Sequence, residues 1–485
     1  MNHPLPKNHG DFSNVGETGP SLTPSTPKIR AYTLPNPHSF PSLRPILQSP
    51  NWAGPVLVVV LALTVFGWNL TAEPPFVDEF AYVSQSFYAD LWITGRWDNP
   101  AWLTYAGYDL PPLPKYAIGL ALRAQGYRRP GPAAMNAWYQ NISSESVSKL
   151  ELVAARWPSV AMGAFGCLAI YGLGVLGGNR RIGWIAALLL MFNPLYAIHA
   201  RRAMSDVYAE SLLLATAACG LWGWQRLLSG KSRLSAWLVV TLGSGVLGGL
   251  ATLSKLNGVL GLFVLGAWAI LALGLIRFPL RGRIDFCLAT FLAGIVAFTT
   301  FCALNPFLFA HPSASAPQAL ARLGFWERVK VVSDHRVNVS DHAKSLFPND
   351  ALRTGRDKVE AVVVQGFGRF GPFGPRGRTD STIRFDWKQD RGALLWIPIV
   401  GLGFIAGLIR GIGRRKAAEP PTSWAILVQA IVAVGVVTAF IPLAWDRYFL
   451  SIQPGFALLG SYAVVAGFDL VRGWLIRRPL PEDRP

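Results

Sequence analysis

Asp78 and Glu79 stand side by side in Pro74-Pro75-Phe76-Val77-Asp78-Glu79-Phe80-Ala81-Tyr82, just past the apolar run Ala53 to Leu70. Acidic residues are costly near hydrocarbon and usually sit there for a purpose. A carboxylate in this place can take the proton of an attacking hydroxyl or amine. It can equally cap the helix that follows, since carboxylates favour helix N-termini. Further polar residues sit at the ends of other apolar runs. Lys115 lies in Asp109-Leu110-Pro111-Pro112-Leu113-Pro114-Lys115-Tyr116; His199, Arg201, Arg202 and Asp206 cluster in one short stretch. Lys255 lies in Leu253-Ser254-Lys255-Leu256-Asn257, and Asp446, Arg447 and Tyr448 follow Trp445. Each also has a structural reading. Lys255 or Arg201 can be a snorkelling anchor, Asp446–Arg447 and Asp206–Arg202 can be ion pairs, and His199 can be a packed interfacial residue. As a set they suit one chemistry. Arg, with its planar donor fork, and Lys, as a point charge, can hold the phosphate of a membrane lipid. The same cations would stabilise negative charge growing on a departing phosphate, while a facing carboxylate accepts a proton. No Gly-rich phosphate loop is present, so nothing points to ATP or a dinucleotide.

These residues need a membrane scaffold to bring them together, and the composition supplies one. Of 485 residues, 51% are hydrophobic and only 15% are charged, well below the soluble norm of about 25%. The chain is therefore expected to be an all-α polytopic membrane protein. Apolar runs long enough to span, for which about 20 residues suffice, lie at roughly 53–70, 153–177, 182–199, 206–228, 236–254, 257–276, 284–305, 392–410, 424–444 and 448–470. That makes about ten transmembrane helices. Glycines such as Gly248 and Gly249 suit close helix packing in lipid. The formal charge is +18. Its cations are scattered over short loops rather than gathered on one face, so the positive-inside effect explains the excess and no nucleic-acid partner is expected. Cys167, Cys219, Cys287 and Cys302 all fall inside apolar runs and read as packing residues.

Basic residues concentrate in one set of loops: Arg180 and Arg181; Arg226, Lys231 and Arg233; Arg277, Arg281 and Arg283; Arg410 through Lys416. With an even number of spans, both termini are expected on the cytoplasmic side of the cell membrane and the Asp78 loop on the outer side. The expected organisation is a disordered cytoplasmic tail over 1–50, an N-terminal transmembrane catalytic module over 51–305 containing the outer loop 71–152, an outer loop region over 306–391, C-terminal transmembrane helices over 392–472, and a cytoplasmic tail over 473–485. Apolar residues from Phe80 to Trp92 recur at helical spacing and predict a helix lying in the interface, and Pro111 to Leu122 predicts a second.

In the order of these motifs the chain resembles the GT-C superfamily of membrane glycosyltransferases, in its protein O-mannosyltransferase-like and aminoarabinose-transferase-like branch. The Asp78-Glu79 loop, Pro111-Pro112-Leu113 with Lys115 and Tyr116, the stretch from Arg201-Arg202 to Asp206, and Arg447-Tyr448 with Pro454 carry the likeness. The resemblance implies transfer of a sugar from a polyprenyl-phosphate donor to an acceptor on the extracytoplasmic face, whether protein, lipid or glycan. It implies Asp78 as general base, with Glu79 as its neighbour or substitute. Lys115, Arg201, Arg202, Asp206, Lys255, Arg447 and Tyr448 would contact the lipid phosphate or the substrate. Many relatives carry His before the Pro-Pro segment, where this chain has Leu110. No cofactor is required by this reading, but a divalent Mg²⁺ or Mn²⁺ on Asp78, Glu79, Asp206 and His199 stays open. Two other readings stay open as well, a secondary transporter and a non-catalytic lipid-phosphate-binding protein. Asn141-Ile142-Ser143 and Asn338-Val339-Ser340 are glycosylation sequons in the outward loops, and Gly366 to Arg378 resembles a loop over the cavity.

Overall fold

A computed structural model describes residues 52–141, 147–231, 233–311, 317–367, 386, 388 and 390–477. The tail 1–50, residues 478–485, the sequon residues Ile142 and Ser143, and most of Gly366 to Arg378 lie outside the described residues. The described chain is helical, with a single isolated bridge between Ala351 and Leu443.

Among the described residues, seven helices are long and apolar enough to cross a membrane, and eight if one bent pair counts as a single span. This is fewer than the ten expected. The difference falls on two segments that are helical but miss that standard. Ala53–Gly67 has only 15 residues, while Asp206–Leu228 has 23 but carries Asp206, Glu210 and Arg226 among its apolar residues. Asp206–Leu228 is also largely enclosed by its neighbours, with Leu214, Ala217, Leu221 and Trp224 fully buried, so it has little need of an apolar outer face.

Helices in lipid gain little from the hydrophobic effect and depend on close packing and internal hydrogen bonds. The spans Arg391–Lys416 and Gln453–Arg477 meet at Gly403, where an added Cβ would lie 1.8 Å from the Leu459 carbonyl oxygen. A relay of indoles crosses the interior. Trp224 Nε1 donates to the Trp268 carbonyl (3.3 Å), and Trp268 Nε1 donates to the Ala425 carbonyl (2.6 Å). Buried indole N–H groups need such partners, and here they tie three helices together.

One set of span ends is shaped by capping. Arg180–Met191 breaks at Asn193, whose side chain accepts from the N–H groups of Leu195 and Tyr196 and starts a new helix, Pro194–Ala200, bent by 70°. Pro at the first helical position is pre-set for such a start. The bend delivers His199, Arg201 and Arg202 to the ends of the spans beside the loop 70–79. Of the two interfacial helices expected, the first divides into Val77–Ser84 and Tyr88–Ile93 and the second runs Pro112–Ala124. They pack closely at Gly119, where a Cβ would stand 2.3 Å from the Ser86 carbonyl oxygen.

Candidate functional site

The acid pair divides its labour. Val77–Ser84 begins at this pair, with Asp78 and Glu79 in its first turn. Glu79 is wholly buried. Its Oε1 and Oε2 accept from Arg156 Nε and Nη2, both at 2.8 Å, as a bidentate pair. The same carboxylate accepts the N–H groups of Phe76 (3.0 Å) and Ala203 (2.8 Å). Arg156, on the helix Lys149–Gly177, also donates to the carbonyls of Leu70, Glu73 and Pro74. One ion pair thus fastens the loop 70–79 to a span and to the turn after Arg202.

Glu73 anchors the same loop from outside. Arg201 donates to Glu73 and to the carbonyls of Phe66, Trp68 and Asn69, which closes the C-terminal end of Ala53–Gly67. A cation there also answers the negative end of the helix dipole. Arg202 lies 3.6 Å from the other Glu73 oxygen and 4.5 Å from the Phe76 ring, rather than pairing with Asp206.

Asp78 is left facing a cluster of polar side chains. Its Oδ2 accepts a short hydrogen bond from Arg447 Nη1, so Arg447 pairs with Asp78 and not with Asp446, whose Oδ1 takes the Arg447 backbone N–H instead (2.6 Å). Arg447 and Lys255 flank one ring, that of Tyr448, at 5.6 and 5.7 Å. Lys255 Nζ donates to Asp206 Oδ1 (2.6 Å), and His199 Nδ1 lies 4.0 Å from Asp206 Oδ2. The Tyr82 hydroxyl is hydrogen-bonded to Ser205 and lies in the fields of Asp206, Arg336 and Asp78; burial pushes its pKa well above that of a free phenol. Asp78, Asp206, Lys255, Arg447, Tyr448 and His199 therefore come together. Exposure separates the acids among them. The Asp78 side chain is 32% exposed, whereas those of Asp206 and Glu79 are 3% and 0%. Of these three carboxylates Asp78 is the most exposed.

Lys115 stands apart from this cluster. It is buried, with Nζ donating to the Ala106 carbonyl (2.7 Å) and lying 4.8 Å from the Tyr88 ring. Desolvation brings its pKa down from 10.5 to about 7, with Asp109 opposing the shift and Arg336 reinforcing it. Nearby, His335 Nε2 meets Asp109 Oδ1 at 2.9 Å, and Arg336 donates to the Asp109 carbonyl. A cleft opens beside this group, lined by Tyr108, Leu110, Pro112, Leu253, Leu256 and Arg336 among others. Sequence reasoning missed Arg156, Glu73 and Arg336. Only Arg156 had a signal, as a lone cation several residues inside an apolar span. Among the described residues, no group of three or more His, Cys, Asp or Glu side chains is placed to hold a metal ion.

Residues 104–309 match the model of the dolichyl-phosphate-mannose-protein mannosyltransferase family. The fold is similar to that of the archaeal oligosaccharyltransferase AglB from Archaeoglobus fulgidus, solved with an inhibitory peptide and a dolichol-phosphate. That match has a TM-score of 0.52 at 15% identity and covers 89% of this chain and 52% of that one. A second structure of the Archaeoglobus fulgidus oligosaccharyltransferase, tethered to an acceptor peptide with the NVT sequon, gives 0.50 at 16% identity, covering 87% and 50%. ArnT from Cupriavidus metallidurans bound to undecaprenyl phosphate gives 0.44 at 13%, covering 90% and 68%. The chain spans about half the length of the archaeal enzyme. No curated protein matches it in sequence. What this chain shares with the archaeal oligosaccharyltransferase is the fold.

Two measurements test the positioning of the site. Arg156→Met strands the Glu79 carboxylate in a dry interior and is expected to cost about 3–5 kcal/mol in detergent unfolding, with Glu79→Gln in the same chain recovering part of the loss. A loss under about 1 kcal/mol, the size of a surface pair, would refute the clamp. Lys115 gives a pH signature. Between pH 7 and 10.5 the unfolded chain binds a proton that the folded protein lacks, so stability rises with pH across that window. The thermal midpoint of the wild type, relative to Lys115→Met, is expected to climb there; a difference flat with pH would show that Lys115 is not held in a desolvated site.

Proposed function

We propose that this multi-pass protein of the GT-C fold transfers a hexose or pentose from a polyprenyl-phosphate donor to a hydroxyl or amine acceptor on the extracytoplasmic face. The observation that carries the reading is the placement of Asp78: the exposed carboxylate of the cluster, held by Arg447, with Lys255 across the Tyr448 ring. The family match over 104–309 and the likeness in fold to an oligosaccharyltransferase support a lipid-linked donor.

In this mechanism the acceptor oxygen or nitrogen attacks the anomeric carbon and gives its proton to Asp78. The bond from the anomeric carbon to the phosphate oxygen breaks, and its electron pair leaves with the lipid phosphate. Lys255, whose side chain is 24% exposed, is the cation assigned to stabilise that charge. Arg447 orients Asp78. Glu79 and Arg201, which the resemblance put among the reacting groups, act through the scaffold instead, because their polar atoms are engaged inside the protein. Arg202, stacked on Phe76 beside Glu73, belongs with them, as does Lys115. Both termini face the cytoplasm, which puts the Asp78 loop outside.

The test is incubation of the purified protein with a panel of polyprenyl-phosphate sugars and mass spectrometry of the products. Asp78→Asn is expected to lower turnover by roughly 10²–10⁴-fold while the lipid still binds. In sealed right-side-out vesicles, an impermeant acceptor should be used only when supplied outside. Full turnover by a folded Asp78→Asn variant would remove Asp78 as the base. Lipid binding by the wild type with no product from any donor would favour a non-catalytic lipid-phosphate-binding protein.

A further inference from the structure

Arg156 and Gly177 lie on one helix, Lys149–Gly177, which rises about 30 Å between them. Gly177 therefore marks the face of the bundle far from the Asp78 cluster. Most cations at this face are engaged. Arg414 donates to the Leu176 carbonyl and to Thr422 and lies 3.3 Å from Glu419. Arg181 lies 3.5 Å from Asp469, and Arg415 stands over the Trp424 ring. Arg410 differs from them. It is half-buried, and among the described residues it forms neither an ion pair nor a hydrogen bond. It also precedes Lys416, the last residue of its helix, by about 9 Å of axis, so it sits deeper than the cations that follow it.

The place of Arg410 is nonetheless fixed. A Cβ on Gly178 would lie 3.4 Å from Tyr462 Cε1 and 3.5 Å from Arg410 Nε. The Tyr462 hydroxyl donates to the Gly177 carbonyl (3.0 Å), and Arg410 and Arg414 both act electrostatically on Tyr462. The guanidinium thus stands where Lys149–Gly177, Arg391–Lys416 and Gln453–Arg477 meet, in room that the bare Cα of Gly178 leaves.

A charge at this depth without a counter-charge is costly, and the protein supplies little to offset it. Asp469 and Glu419, which pair with Arg181 and Arg414, are 57% and 60% exposed, where an ion pair is worth little. Arg180, Arg415 and Lys416 add further positive charge in the same segments. Apolar side chains continue from the cations toward the middle of the spans. Leu402, Ile405 and Ile409 are exposed on one helix, and Val464 and Phe468 on the other. Trp424 and Trp474, near the ends of their helices, suit the headgroup level of a bilayer. A lone guanidinium above two bare apolar faces fits an anionic head with hydrocarbon tails.

We propose that Arg410 seats an anionic phospholipid of the surrounding bilayer, with the phosphate on its guanidinium beside Gly178 and the acyl chains along the exposed faces of Arg391–Lys416 and Gln453–Arg477. The planar fork of Arg410 matches two phosphate oxygens, and the phosphate brings the counter-charge that the three helices lack at their junction. The site lies on the face away from Asp78 and does not depend on the transferase reading.

The experiment is titration of the full-length protein in mixed micelles with phosphatidylglycerol and with phosphatidylcholine, the bound lipid being read by native mass spectrometry. Inorganic phosphate is added as a competitor. The wild type is expected to prefer phosphatidylglycerol, and Arg410→Gln to weaken that binding by about tenfold or more, the loss of a charged hydrogen bond. Lys416→Gln removes the same charge from an exposed position and should change it little. Arg410→Lys, which keeps the charge and gives up the fork, should fall between them; if Arg410→Gln does not fold, its comparison with Lys416→Gln decides. In lipid-free detergent the thermal midpoint of Arg410→Gln should match the wild type, and phosphatidylglycerol should raise the wild-type midpoint more. Equal affinity of the wild type for the two lipids would overturn the proposal. So would equal losses in the Arg410 and Lys416 variants, which would show a diffuse surface field. Displacement of the lipid by an equal concentration of inorganic phosphate would show a free-anion site and overturn the lipid.

Discussion

The buried pair between Glu79 and Arg156 is the interaction on which the loop 70–79 and the elements around it depend. Taking a carboxylate and a guanidinium out of water is costly, and the pair survives only because its remaining polar atoms are also satisfied. Glu79 receives two backbone N–H groups, and Arg156 reaches three carbonyls of the loop before it. Together these contacts join the loop 70–79, the helix that carries Arg156 and the turn at Ala203 to one point. With Glu79 fixed in the first turn of Val77–Ser84, the neighbouring Asp78 points elsewhere on that turn. Its carboxylate meets Arg447 and is partly exposed.

A second constraint comes from the way the spans end. The Asn193 break and the Arg201 contacts with the carbonyls of Phe66 and Trp68 tie the bent end of one span to the C-terminal end of Ala53–Gly67. The Asp206–Lys255 pair begins four residues after Arg202, and the Asp78–Arg447 pair lies in the loop that Arg201 and Glu73 hold. In low dielectric such pairs also set the local field. Arranging dipoles and charges beforehand is the general way a protein lowers the cost of charge developing on a leaving group. In the proposed mechanism Arg201 and Glu79 serve the chemistry through the scaffold, without touching a substrate.

Much of this was legible in the sequence, and the parts that were not share one cause. Hydropathy shows a span because lipid demands about 20 apolar residues in succession. It marks Ala53–Gly67 and Asp206–Leu228 as well, because it cannot tell a lipid-facing helix from a short or enclosed one. The Asp78-Glu79 pair stands out beside an apolar run, so its importance could be read directly. Which acid does what could not, since the partner of Glu79 lies 77 residues away and that of Asp78 lies 369 away. Lys115 has the right residue type in the right motif, but tertiary packing buries it. Arg336 sits in a polar helix among other cations, with no period or motif to mark it. Residue type and spacing reveal chemical capacity; exposure and pairing, which decide its use, arise only on folding.

The anomeric configuration of the transferred sugar tests the mechanism most directly. With Asp78 acting as a base and the acceptor displacing the lipid phosphate in one step, the product must carry the inverted configuration at the anomeric carbon. Nuclear magnetic resonance of product made from a donor of defined configuration reads this outcome. Inversion is the expected result. Retention would mean two displacements through a glycosyl-enzyme intermediate and would contradict the role given to Asp78.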